Sequence, residues 1–120
     1  MKAEEIFEAG VRVMKELLTP QGMKAAIGRV NKRTPGENSL LLDRERESIN
    51  ELVRKIAAAG TLHDALDGVP QDLLDALVLR YFRNRDVFMK TFPGGIESLN
   101  AGPVSVWAAM MISPHDDKPL

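Results

Sequence analysis

The chain contains no cysteine, and only two histidines and six aromatic residues among its 120. Without cysteine there is no disulfide framework, no thiolate zinc site and no cysteine nucleophile. A glycine-rich phosphate loop is also missing, since Pro93-Gly94-Gly95 is not followed by Lys-Ser/Thr. The longest uncharged run, Ser98 to Pro114, is broken by Asn100, Gly102 and Pro103, leaving too few apolar residues to span a bilayer. The opening Lys2-Ala3-Glu4-Glu5 carries carboxylates that a secretory signal peptide avoids. A cytoplasmic protein is the expectation.

Net charge is lacking as well. At −1, no global field draws the chain to nucleic acid or to an anionic membrane. The charge is unevenly spread, however. Residues 1–38 hold seven basic and five acidic groups, residues 39–79 four and eight, and residues 80–120 five and four. An acidic middle therefore lies between mildly basic flanks.

What is present is an apolar centre. Within Pro70–Phe92, eight of the ten residues from Leu73 to Phe82 are apolar. A surface helix needs one apolar stripe, so a helix apolar on most sides is one surrounded by partners. The second half breaks into Arg83-Asn84-Arg85-Asp86 and resumes with Val87, Phe88, Met89 and Phe92. This half reads as partly wet and basic.

Other helices follow from spacing. Ala3, Ile6, Phe7, Gly10, Met14 and Leu17 fall on one helix face, and Gly10 within it implies a close helix crossing. Thr19-Pro20 reads as a cap and first-turn proline that end one helix and start another, striped by Met23, Ala26, Ile27 and Val30. Asn31 to Gly36 reads as a loop. A third, long helix is expected to run through Leu40-Leu41-Leu42 and the charged Asp43 to Glu47 into the stripe Ile49, Leu52, Val53, Ile56. Ser39 or Ser48 begins it, the latter with Glu51 at capping-box spacing, and Gly60 ends it. Thr61 with Asp64 suggests a short capped helix to Leu66 before the turn at Asp67-Gly68. Ile96 to Asn100 is long enough for one turn. Pro103 and the Ala-Ala-Met-Met tract make Val104–Ile112 helical rather than a strand. Ser113 to Leu120 reads as a loose tail. The expected fold is all-α: a single-domain compact bundle or irregular globule over residues 1–112, with five or six helices around the central one at about 70–92.

Few motifs carry chemistry. Thr61 to Leu77 resembles a helix-turn-helix in outline, but Ala65 and Gly68 are one residue too close. Its second helix opens with acid and grease where DNA contact needs Arg, Lys, Asn or Gln. His63 beside Asp64 reads as a surface residue, and His115-Asp116-Asp117 lies in the tail, so neither metal nor cofactor is expected. With no convincing acid–base pair, an enzyme is not expected.

Association remains. Trp107, Met110 and Met111 have the side-chain chemistry of interface cores, with Arg83 and Arg85 as polar anchors, although the same segment would serve equally as a last core helix. The leading expectation is a small non-enzymatic protein that binds another protein, as an adaptor, inhibitor or assembly factor, and self-associates into a homo-oligomer. The alternative is nucleic-acid binding through the acid-free cluster Lys24, Arg29, Lys32 and Arg33, or through the Arg80–Lys90 stretch with its interleaved aromatics. The acidic residues Asp64, Asp67, Asp72 and Asp75 would face a basic partner or solvent.

Overall fold

The structure, a computed structural model, describes residues 3–91 and 102–112. It is all-α, with five helices and no strand among the described residues: α1 (Ala3–Lys32), α2 (Pro35–Arg44), α3 (Arg46–Ala59), α4 (Gln71–Thr91) and α5 (Pro103–Met111). The expected turn at 96–100, the end of the central helix at Phe92–Gly95 and the tail lie outside the described residues.

Helix α1 is two limbs meeting at Thr19, whose backbone leaves the helical region (φ 68, ψ 156). Pro20 cannot donate to the preceding turn, and the Thr19 hydroxyl accepts from Gly22 N at 3.1 Å, so a new helix starts there as Thr19-Pro20 implied. Two expectations fail at the next junction. The supposed loop at 31–36 is mostly helix: Thr34 caps α2, Pro35 occupies its first turn, and only Arg33 and Thr34 separate α1 from α2. The expected long third helix is two helices, hinged at Glu45 (φ −95, ψ 6), so neither Ser39 nor Ser48 is a cap. Hydrogen bonds from Glu45 N to Leu41 O and from Ile49 N to Glu45 O bridge the hinge at 3.0 and 2.9 Å.

Gly60 ends α3 in the left-handed region, where glycine pays no steric cost (φ 69). The short helix expected from Thr61 to Leu66 does not form. The Thr61 hydroxyl accepts from His63 N, two residues on rather than three, and successive turns carry the chain to α4. A stretch closed by positive-φ glycines at 60 and 68, with Asp64 at φ 55 between them, offers too few residues to nucleate a helix. The helix-turn-helix outline therefore lacks its first helix.

Ala76, Leu77, Val78 and Tyr81 of α4 are fully buried, and α1, α3 and α5 pack around them. Ile49, Val53 and Ile56 supply α3, Leu41 supplies α2, and Met14, Leu17, Met23 and Ala26 supply the two limbs of α1. Burying a side chain such as Leu77 is worth about 1.5–3 kcal/mol. The close crossing implied by Gly10 is present: a β-carbon there would lie 2.7 Å from the Tyr81 hydroxyl oxygen and 3.0 Å from Met110 Cε. That hydroxyl in turn donates to Phe7 O at 3.1 Å, tying α4 to the first limb of α1.

Candidate functional site

The last turns of α1 and the first turn of α4 meet in a chain of alternating charges. Arg29 lies in the last turns of α1 and Arg33 just past its end, four residues on, while Asp72 and Asp75 share a face of α4. Arg29 forks onto Asp75, with Nε at 3.0 Å and NH2 at 2.8 Å from Oδ1. Arg33 gives NH1 to Asp75 Oδ2 at 2.9 Å and NH2 to Asp72 Oδ1 at 3.3 Å. Arg44, from the end of α2, gives NH2 to Asp72 Oδ2 at 3.0 Å and contacts Glu45 Oε1 at 3.4 Å. The order is Arg29, Asp75, Arg33, Asp72, Arg44, Glu45.

Asp75 is fully buried, and a buried carboxylate is tolerated only when opposite charge and hydrogen bonds replace its water. Two guanidiniums do so here. Of the acidic residues, Asp72 and Asp75 thus face the chain's own basic cluster, while Asp64 and Asp67 lie exposed to solvent. For the four residues of the nucleic-acid alternative the consequence is a split. Arg29 and Arg33 are engaged by carboxylates, while Lys24 and Lys32 lie exposed on the same limb.

Beside this chain is a cleft of about 250 Å³ lined by Arg33, Glu37, Leu40, Leu41, Arg44 and Asp72. Leu41 is buried, but Leu40 is 71% exposed. The capping box holds this edge of α2: the Thr34 hydroxyl accepts from Glu37 N at 3.1 Å, and Glu37 Oε1 accepts from Thr34 N at 2.8 Å. The main-chain and side-chain hydrogen bonds with Thr34 favour the ionised form and hold the Glu37 carboxyl below its usual range. Leu40 was not singled out by sequence, though a signal existed. Successive helical residues turn about 100°, so three consecutive leucines cannot all face one core.

The residues expected to make the partner contact are placed otherwise. Trp107 and Met111 are fully buried and Met110 nearly so. The Trp107 Nε1–H donates to Met14 Sδ at 3.2 Å. This corrects their reading as a free contact surface: α5 is apolar on most sides because α1, α3 and α4 cover it. Of the expected anchors, Arg83 is exposed. Arg85 is half-buried, its guanidinium 4.6 Å from the Phe7 ring centre and 5.3 Å from that of Phe82, and it pairs with Asp86 at 3.0 Å. The Arg80–Lys90 stretch is therefore not a continuous basic face. Arg80 is internal, and the aromatics lie on the packed side, with Tyr81 buried and Phe82 and Phe88 half-buried.

His63 pairs with Asp64 at 3.0 Å on the surface, 86% exposed. Among the described residues no group of three or more His, Asp or Glu is arranged to hold a metal ion, and His115-Asp116-Asp117 lies outside them. No described helix is long and apolar enough to cross a membrane. Comparison with known proteins gives no matching family, curated protein or solved structure.

Proposed function

We propose that this chain is a non-enzymatic, cytoplasmic protein-binding protein, an adaptor, inhibitor or assembly factor, whose contact surface centres on Leu40. The exposed Leu40 side chain carries this reading. It stands at a cleft whose other walls alternate Arg33 and Arg44 with Glu37 and Asp72. An apolar anchor ringed by charged groups is the anatomy of a protein contact, in which the centre gives affinity and the rim excludes water. Because the rim carries both signs, it complements a copy of itself, as a two-fold contact requires. Self-association is accordingly part of the proposal.

The test is solution mass across a concentration series for the wild type and for Leu40→Asp, with recovery from a native-cell extract through a photo-crosslinker placed at position 40. Leu40→Asp should lower the mass while leaving helicity unchanged, and the crosslinker at position 40 of the otherwise wild-type chain should capture a second protein chain. A monomer at every concentration with no species crosslinked at position 40 would sink the proposal. The nucleic-acid alternative now rests on Lys24 and Lys32, and calls for low-salt retardation of DNA or RNA that disappears in Lys24→Ala/Lys32→Ala.

A further inference from the structure

The alternating chain of charges ends differently on its two sides. At one end Glu45 closes on Arg44. At the other, Arg29 gives Nε–H and one NH2 proton to Asp75, while NH1 has no hydrogen-bond partner among the described residues. Arg29 also lines a second cleft, of about 330 Å³, in the elbow of α1. Leu17 and Leu18 reach it from before the bend, and Gly22 and Ala25 from after it. Leu66, Val69 and Leu74 face them from the connection into α4 and from α4 itself, and Gln71 is the other polar side chain lining the space.

We propose that this elbow cleft binds a small amphiphilic carboxylate, such as a medium-chain fatty acid. Its acyl chain would lie against the leucines and Val69, and its carboxylate on Arg29 NH1 and Gln71. The charge argument is local. Asp75 is fully buried and holds Arg29 by two nitrogens, so the guanidinium is fixed at the edge of the residues that line the cleft. Its NH1 donors are open to solvent, where a carboxylate can replace water and continue the alternation that already runs through six side chains. A single guanidinium suits one negative charge better than the two of a phosphate monoester. The leucines and Val69 give the cleft an apolar side opposite its polar one, which suits an amphiphile, and the volume is at the low end for ligand pockets, so the chain must be short.

The proposal is tested by following backbone amide resonances of the full chain during titration with octanoate, with octanol as the uncharged control. Octanoate should give saturable one-to-one shifts at Gly22, Ala25, Leu66, Val69 and Gln71, and octanol should bind at least tenfold more weakly. Ala25→Phe fills the cleft from an exposed position and should abolish the shifts while leaving the thermal unfolding curve nearly unchanged. Arg29→Lys, which keeps a cation beside Asp75, should weaken octanoate and leave octanol unaffected. The proposal falls if octanoate gives no saturable shifts, if octanol binds equally well, or if Ala25→Phe still binds. None of these outcomes bears on Leu40, which lines the other cleft.

Discussion

Helix α4 buries two charged side chains five residues apart, Asp75 and Arg80, and uses them to hold different neighbours. Asp75 is met by ionised partners, Arg29 and Arg33, brought from 46 and 42 residues away. Arg80 reaches neutral oxygens of two other helices: the Asn50 side chain and Arg46 O at 3.2 Å in α3, and Met111 O at 3.4 Å in α5. One turn on, Asn84 Nδ2 donates to Met110 O and Met111 O, both at 3.0 Å. A carboxylate offers only acceptors and needs donors, which charged donors supply best. A guanidinium has five donors, and the end of a helix supplies spare carbonyls and the negative end of its dipole. The first half of α4 therefore fixes α1 and α2 through charge, and its middle docks α5 through main-chain oxygens.

Removing each group should separate the two arrangements. Asp75→Ala strands two partly buried cations and should cost about 3–5 kcal/mol. Arg80→Met keeps much of the stem's volume and leaves neutral oxygens behind, so about 2–3 kcal/mol is expected. Urea denaturation of both variants decides the order. If Arg80→Met proved the more damaging, the contrast drawn between ionic contacts to α1 and contacts with neutral oxygens of α3 and α5 would be broken.

The crossing of α4 with the first limb of α1 should answer to alkali. Tyr81 lies there at the Gly10 crossing, and burial pushes its phenol from 10.0 up to about 12 against the opposing pull of Arg85. Below pH 10 both folded and unfolded chains hold the proton, and the stabilisation is complete. Between pH 10 and about 12 only the unfolded chain releases it, so stability falls as pH rises and levels off above the folded value. The loss over that window should reach about 2–3 kcal/mol. Tyr81→Phe should remove this component from the unfolding free energy measured at pH 9 to 12, and an unchanged slope would show that the phenol does not titrate as placed.

Local spacing made part of the fold legible, though the loop at 31–36, the unbroken third helix and the short helix at 61–66, also local readings, do not form. Helix α4, the break at Thr19-Pro20, the tight crossing at Gly10 and the helical nature of α5 follow from spacing within a few residues, and all are present. The Arg29–Asp75 and Arg33–Asp75 pairs are invisible to such spacing, because only packing of α1 on α4 brings the basic and acidic thirds together. Trp107 illustrates a different limit. A helix apolar on most sides looks the same whether its own chain or another covers it, and here α1, α3 and α4 cover it. Leu40 is the converse, an apolar residue that helical geometry turns outwards beside a buried neighbour.

Thr34 provides the smallest expected effect and tests the edge on which Leu40 stands. Thr34-Pro35-Gly36 carries the residues of a turn, yet Glu37 three positions after Thr34 completes a capping box that starts α2. Thr34→Ala removes the acceptor for Glu37 N and should cost about 1 kcal/mol. The Glu37 carboxyl reports the same loss. Its pKa is lowered in the folded chain, so its contribution is complete above the ordinary value of 4.5 and is lost as pH falls through the lowered one. In Thr34→Ala the side-chain part of that lowering disappears, and carbon-detected titration should show the Glu37 midpoint rising towards 4.5. If the midpoint did not move while stability fell, the hydroxyl would stabilise α2 without supporting the reciprocal Glu37 bond. The Leu40 edge would then be held by Pro35 and the Arg44–Asp72 pair rather than by the box.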